Sequence, residues 1–303
     1  MLQEPVAGQR RDAFERAGLL EEMGRARHDL ELGLAAQRGE RLAWYGRRFA
    51  GVEVDSTFYA VPGRRTTARW EALTPPGFTF DVKLHRLLSR HAAPRSSLPA
   101  DLRERSTLAE SGRVVLDAEL EAALCERTLA AAEPLKEAGK LNSFLLQLTP
   151  AFKPPDHELS ELEAILRMLA PVPVAVELRH RAWLRDADAT LAWFRRAGAA
   201  FVCVDAPELD APPVLPRVDA VTRDDLAYLR AHGRNADGYL RGRTPSERFG
   251  WRYSDEELDE IGERARGLAR EAASVRLMFG NGADAPAAAE RMRDRLVALV
   301  PVA

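Results

Sequence analysis

The 303-residue chain is poor in lysine, cysteine and long apolar runs. Only four of its 44 lysines and arginines are lysine, a bias that, with abundant alanine, suggests a GC-rich bacterial genome. The two cysteines, Cys125 and Cys203, show no metal-ligand spacing and are expected to be small core residues. No stretch approaches the ~18 apolar residues that span a bilayer, so no membrane association is expected. The first residues lack the pattern of a signal peptide, which predicts a cytoplasmic protein.

The chain also lacks a strong net charge and the common nucleotide and nucleophile motifs. The 44 basic and 46 acidic residues nearly balance, so no overall electrostatic attraction to nucleic acid is expected. A local basic pocket remains compatible with this balance. No GxGxxG or GxxxxGK[ST] follows the early strand-like runs, which disfavours a nucleotide-binding, doubly wound sheet. Without a nucleophile-elbow motif, acyl transfer by a Ser-His-Asp triad is disfavoured as well.

Seven short apolar runs are typical of strands, and helical stretches separate them. They are 51–54, 78–83, 144–147, 174–177, 201–205, 228–232 and 275–281, and the first continues as strand-like sequence to Phe58. This alternation predicts βα units and a parallel sheet. We therefore predict an α/β fold, a TIM-barrel-like (β/α)8 barrel in one domain over 41–303. Residues 1–40 form a divergent, helical N-terminal segment, and the first strand of the barrel is not evident.

Ionisable residues follow the strand-like runs, where a parallel barrel gathers its chemistry. Glu53 and Glu177 are candidates for general acid and base, with His180 and His232 for proton transfer. The alternative is that both carboxylates pair with arginines and only orient the mouth of the barrel. The basic residues at the same ends predict an anion pocket, which suits phosphate or carboxylate. They are Lys83, Arg179, Arg230 and Arg234.

Several segments together resemble the motifs of the domain of unknown function 72 family (YecE-like). They are 52–59 (VEVDSTFY), 78–91 with Lys83 and His91, 146–152 (LQLTPAF), 177–183 (ELRHRAW), 228–234 (YLRAHGR), Tyr253 and 279–281 (FGN). The resemblance implies a TIM-barrel-like fold with no established activity. It adds His91, Gln147, Tyr253 and Asn281 to the substrate-binding candidates.

The chain departs from this family pattern in three places. Asp55 replaces an asparagine, Gly280 replaces the first asparagine of the "FNN" turn, and nothing in residues 1–40 matches the family's first strand. The chain therefore resembles a member that is divergent or truncated at its N-terminus.

Two functions fit these residues. The first is a hydrolase or lyase, such as a phosphate-ester hydrolase, that acts on a phosphorylated or otherwise anionic ligand at the C-terminal mouth. The second is a non-catalytic protein that binds an anion or a nucleic-acid end in the same pocket. No cofactor is expected, and a divalent metal at the two glutamates is disfavoured because neighbouring arginines repel cations.

Overall fold

The computed structural model describes residues 36–297 as a parallel sheet surrounded by helices. The strands are β1 Gly51–Val54, β2 Thr79–Lys83, β3 Leu141–Gln147, β4 Val174–Glu177, β5 Ala200–Asp205, β6 Ala227–Ala231 and β7 Val275–Phe279. The helices are α1 Ala36–Gly46, α2 Arg64–Ala72, α3 Ala100–Arg105, α4 Ala118–Glu137, α5 Glu163–Leu169, α6 Ala187–Ala197, α7 Ala236–Arg241, α8 Pro245–Phe249, α9 Asp255–Leu268 and α10 Ala285–Val297.

All seven predicted strands are present, and each pairs in parallel with the next along the chain. The expected continuation of the first strand to Phe58 is wrong. Strand β1 ends at Val54, and Ser56–Phe58 form a short 3-10 helix instead. The hydroxyl of Thr57 explains the change, because it donates to the carbonyls of Val54 at 2.8 Å and Lys83 at 2.6 Å. This turn ties the loop after β1 to the end of β2.

The sheet is nearly closed into a barrel, which confirms the predicted α/β, TIM-barrel-like class. Among residues 36–297 no strand pairing joins β1 to β7. A side chain spans this opening from the inside: Arg276 on β7 lies 3.3 Å from Asp81 Oδ2 and donates to Thr79 Oγ1 on β2. The expectation of a helical segment over residues 1–40 falls largely outside the described residues. The part that is described begins with helix α1.

The core has two layers, as expected for a barrel with an outer ring of helices. Inside the barrel a small cluster fills the lower part: Leu145, Ala175, Ala200, Val202, Leu226 and Tyr228. Outside, a larger apolar layer joins the sheet to the helices and includes Trp70, Phe80, Phe144 and Phe201. Both cysteines are buried, which confirms their assignment to the core.

The helix boundaries follow local signals in the sequence. A capping box starts α9: Ser254 Oγ accepts from the Glu257 amide at 3.2 Å, and Glu257 Oε2 accepts from the Ser254 amide at 2.8 Å. The long connection over residues 91–117 contains a 3-10 turn and the six-residue α3. Within residues 36–297 no helix combines the length and the apolar character needed to cross a membrane.

Helix α6 ends at a glycine that needs its left-handed backbone. Gly198 has φ +67°, and its amide donates to the carbonyl of Arg195 at 3.3 Å. Gly198→Ala is expected to lower the free energy of unfolding by about 1 kcal/mol, because alanine strains this backbone. Chemical denaturation measures the change. As a matched control, Gly267→Ala in the interior of α9, where a Cβ meets open space, should raise stability by about 0.5–1 kcal/mol. Equal effects at both positions would contradict the assignment.

Candidate functional site

The candidate site lies where inward-facing side chains reach the C-terminal ends of the strands. Alternation along β6 places Tyr228, Arg230 and, just past the strand end, His232 on the inner face. The same period brings Glu177 inward on β4, above the inward Ala175. The apolar barrel interior thus ends in a polar layer formed by several strands.

Arg230 is the centre of this layer. Its guanidinium donates to Glu53 through Nη2 and to Glu177 through Nη1, and Nη1 also lies 3.2 Å from Gln147 Oε1. Tyr228 Oη donates to the other oxygen of Glu53 at 3.0 Å. The structure therefore brings both predicted catalytic glutamates together, but on opposite sides of one arginine. This is the ion pairing that the sequence left open as the alternative to catalysis.

Glu177 is a fully buried carboxylate surrounded by cations. Besides Arg230, it accepts from Arg179 Nη1 at 2.8 Å, and its Oε1 lies 3.0 Å from His232 Nε2. Burial acts to raise the pKa of Glu177, but the charges of Arg230 and Arg179 and the hydrogen bond from His232 outweigh it and hold the pKa well below its usual value. The same charges act in reverse on Arg230. Burial lowers its pKa, yet Glu53 and Glu177 raise the pKa well above its ordinary value.

His232 is a buried, uncharged imidazole oriented by Glu177. Burial is the largest cause that lowers the pKa of His232 to about 4, and Arg230 adds to it, while Glu177 opposes it. Because Glu177 is ionised, the proton of the neutral ring belongs on Nε2, which donates to the carboxylate. The other nitrogen, Nδ1, faces residue 280. A Cβ at Gly280 would lie 3.1 Å from that atom, so the glycine keeps space beside it.

The segment after β6 folds over this layer. The ring centroid of Phe249 in α8 lies 5.6 Å from that of His232 and 5.8 Å from Cζ of Arg179. Tyr239 in α7 packs edge-on against Phe249 at 5.4 Å. Below this cover, a cavity is lined by Glu177, Arg179, His232, Tyr239 and the apolar residues of the loop after β5. The segment encloses a small space directly beside the imidazole and its carboxylate.

A second basic group surrounds the ring of Phe58 in the loop after β1. Lys83 Nζ lies 4.9 Å and Arg86 Cζ 5.7 Å from the ring centroid, and the His91 ring lies 5.0 Å away. Lys83 also pairs with Asp55 at 2.9 Å. Burial lowers the pKa of His91 to about 4, and Lys83, Arg86 and Arg179 lower it further. Two sequence-predicted binding residues, Lys83 and His91, are thus close neighbours.

The structure places four of the predicted site residues elsewhere, each in a local structural contact. His180 caps a short 3-10 helix, where its Nδ1 accepts from the Ala182 amide at 3.2 Å. Arg234 pairs with Asp205 and Glu260, both at 2.9 Å.

The other two of the four hold the loops behind the site. Tyr253 Oη donates to Asp205 at 2.9 Å and accepts from the amide of Gly233 at 2.8 Å. Asn281 Nδ2 donates to the carbonyl of Trp251 at 2.7 Å. Together with Arg234, these contacts fix the segment after β6 in place.

No metal-binding group is found in the part of the chain that the structure describes. Residues 36–297 contain no cluster of three or more His, Cys, Asp or Glu side chains arranged to hold a metal ion. Between Glu53 and Glu177, the guanidinium of Arg230 stands where a metal would have to lie. A cation at that position repels a metal ion, so the two carboxylates do not fit one as they stand.

Sequence reasoning missed several residues that shape the site. Tyr228 was visible as an inward position two residues before Arg230, so strand alternation offered a signal for it. Arg86 follows the strand end at Lys83 by three residues but lies in a chain rich in arginine. Tyr239 and Phe249 lie in a polar segment, and no sequence pattern predicts that it folds back over the mouth.

Comparison with known proteins places this geometry among related barrels. The model of a family described as "Protein of unknown function DUF72" matches residues 31–301. The UPF0759 protein YunF of Bacillus subtilis (strain 168) is 26% identical over 255 residues, covering 82% of this chain and 83% of that protein.

Solved structures agree with this match. A DUF72 family protein from Enterococcus faecalis V583 superposes with a TM-score of 0.69 at 25% identity, over 85% of this chain and 94% of the other. Another DUF72 family protein, from Thermotoga maritima MSB8, superposes with a TM-score of 0.66 at 26% identity, over 86% of this chain and 90% of the other. The barrel is therefore shared with proteins of known structure.

Proposed function

The chain belongs to the DUF72 family of proteins of unknown function, and from that premise we propose that its barrel mouth hydrolyses an ester of phosphate or of another anion. The observation that carries the proposal is the buried pair of Glu177 and His232, with 3.0 Å between Oε1 and Nε2. A carboxylate that fixes an imidazole in one tautomer, beside a cavity that both side chains line, is an arrangement for general acid–base catalysis.

Each group has a definite part in this reaction. His232 Nδ1 takes a proton from a water molecule as its oxygen attacks the ester phosphorus. The ester P–O bond breaks, and His232 returns the proton to the leaving oxygen, so water and ester become acid and alcohol. Glu177 touches no substrate: it positions the ring and stabilises the imidazolium while that ring carries the extra proton. Lys83 and Arg179 offset the negative charge of the substrate.

The low pKa of His232 is compatible with its role as the general base. With a pKa of about 4, the ring is in its basic form throughout the physiological range. A bound anion close to the ring stabilises the imidazolium and raises this pKa, so substrate binding itself increases the basicity. Access requires the cover formed by Tyr239 and Phe249 to move, because the side chains of Glu177 and His232 are only 0% and 5% exposed.

A turnover screen with matched variants tests the proposal. The substrates are p-nitrophenyl phosphate, bis-p-nitrophenyl phosphate and labelled oligonucleotides, each with and without Mn²⁺ or Zn²⁺. Glu177→Gln is expected to lower kcat at least 100-fold, in the range attributed to general base catalysis. Glu110→Gln, the same change at an exposed position, should leave the rate unchanged. Turnover that survives Glu177→Gln in a folded protein, as judged by circular dichroism, refutes the proposal.

A second candidate is a non-catalytic protein that binds an anion or a nucleic-acid end at the same mouth. The observation that favours it is the saturation of the carboxylates: Arg230 engages both Glu53 and Glu177, and all three side chains are 5% exposed or less. Such a network holds the shape of the mouth without any proton transfer. Anion binding without turnover of any substrate in the screen would support this candidate over the hydrolase.

A further inference from the structure

The end of β2 and the loop that follows it carry a group of basic side chains beyond the acid–base pair itself. It is the group of Lys83, Arg86 and His91 around the ring of Phe58. Two backbone hydrogen bonds fix its geometry: the Arg86 amide donates to the Phe58 carbonyl at 2.9 Å, and the His91 amide donates to the Arg86 carbonyl at 2.8 Å. The three basic side chains are therefore held by neighbouring loops at the rim of the barrel, not by flexible surface sequence.

Two nitrogen atoms of this group are enclosed and lack a partner. Within residues 36–297, neither Arg86 Nε nor His91 Nε2 has a hydrogen-bond acceptor, although both atoms are buried. A buried polar group normally finds a partner, and leaving one unpaired is costly, more so when it is charged. Unpaired nitrogens beside a third basic group point to a ligand that supplies oxygen atoms.

The charge of the group indicates what that ligand carries. Lys83 is 9% exposed and pairs with Asp55, and the guanidinium of Arg86 adds a second positive charge beside the same ring. Arg179, which donates to Glu177, adds a further cation whose charge acts on His91. Arginine presents a planar fork and lysine a point charge, a combination suited to a group with several equivalent oxygens. A phosphate dianion suits both the arginine fork and the lysine charge.

The enclosure of the group restricts how the ligand enters. Arg86 Nε and His91 Nε2 are buried, so a phosphate reaches them only when the side chains that cover them move aside, and it then has protein on most of its sides. A terminal phosphate enters such a site end-on. An internal phosphodiester needs an open groove, because its chain continues in both directions.

We propose that Lys83, Arg86 and His91, arranged around Phe58, form a subsite for the terminal phosphate of a phosphomonoester. The inference rests on the proposed function and deepens it, because Lys83 and Glu177 end β2 and β4 at the same mouth of the barrel, which brings the bound ester toward the acid–base pair. Proton uptake by His91 on binding makes both of its ring nitrogens donors and completes the contacts.

Equilibrium binding of small phosphates tests the subsite directly. Isothermal titration calorimetry or ³¹P NMR measures the Kd of phenyl phosphate, inorganic phosphate and dimethyl phosphate with the full chain. Phenyl phosphate and inorganic phosphate should bind, and dimethyl phosphate should bind at least tenfold more weakly. Arg86→Gln and Lys83→Met should each weaken phenyl phosphate at least tenfold. The matched control is Arg65→Gln, which removes the same charge at an exposed position of α2 and should leave the Kd unchanged.

The outcomes separate this inference from the proposed hydrolase. Equal affinity of the wild type, Arg86→Gln and Arg65→Gln for phenyl phosphate overturns the subsite. Tight binding of dimethyl phosphate that depends on Arg86 overturns its restriction to terminal phosphates. Binding that depends on Arg86 without turnover leaves the subsite intact and refutes the hydrolase. Turnover of a phosphomonoester that is indifferent to Arg86→Gln refutes the subsite and leaves the hydrolase intact.

Discussion

Replacing Arg230 with methionine is expected to lower the free energy of unfolding by about 3–5 kcal/mol. The wild-type guanidinium lies between Glu53 and Glu177 and donates to both. Without it, Glu53 and Glu177 remain buried in the barrel but have lost the guanidinium that they share. Burying a charge without this compensation costs far more free energy than losing a surface ion pair. Urea or guanidinium denaturation at pH 7 measures the difference.

Two further variants distinguish this cause from lost packing. In Arg230→Met with Glu177→Gln, one of the two buried negative charges is removed, so part of the lost stability should return. Arg167→Met serves as the matched control, because Arg167 pairs with Glu163 at 3.7 Å with side chains 72% and 46% exposed, and a change below about 0.5 kcal/mol is expected. A loss below about 1 kcal/mol for Arg230→Met would show that the network contributes little.

The protein is expected to lose stability steeply between pH 6.5 and pH 5. Burial is the first cause that lowers the pKa of His85, His91 and His232 to about 4 in the folded chain. In the unfolded chain each has a pKa near 6.5, so over this interval the unfolded state binds more protons than the folded state. Their contribution to stability is complete above pH 6.5 and is lost as the pH falls toward 4. Allowing for partial solvent screening, the combined loss by pH 5 is on the order of 3 kcal/mol.

Two carboxyl groups modify this profile at lower pH. Glu177, whose folded pKa is well below normal despite its burial, contributes stability above its unfolded pKa and loses it as the pH falls further. Asp81 acts in the opposite sense. Burial raises its pKa despite the nearby Arg276, so the folded state binds this proton first and offsets part of the loss. The histidines therefore dominate the profile above pH 5.

Denaturation curves at several pH values between 5 and 7.5 check this expectation. The slope of the unfolding free energy against pH gives the difference in bound protons between the two states. His91→Gln should reduce this slope by close to one proton. A free energy that stays flat from pH 6.5 to pH 5 would mean that the buried rings protonate without unfolding.

Much of the fold follows from local sequence. All seven strands coincide with predicted apolar runs, because a strand inside a barrel needs β-favouring, apolar residues whatever its neighbours are. The capping box of Ser254 and Glu257 also depends only on local sequence, since its hydrogen bonds join residues three positions apart. The failure at Ser56–Phe58 has the opposite origin. One of the two bonds of Thr57 reaches Lys83 in the next strand, and no periodicity in residues 51–58 encodes that contact.

The candidate site divides in the same way. Position in the sequence is enough to place Glu53, Glu177, Arg230 and His232 at strand ends, because alternation along each strand fixes the face on which a side chain lies. It does not indicate which of them meet. Glu53 and Arg230 are 177 residues apart, and only the curvature of the sheet brings β1 opposite β6.

By itself, then, the sequence determined the strands, the parallel barrel and the row of ionisable strand ends, because each depends on residues close along the chain. Tertiary structure alone decided that one arginine joins both glutamates, that a segment after β6 covers them, and that Arg86 joins Lys83 and His91 around Phe58. Charge pairing and burial depend on distances between strands and loops that are remote in sequence. These distances exist only once the barrel has nearly closed.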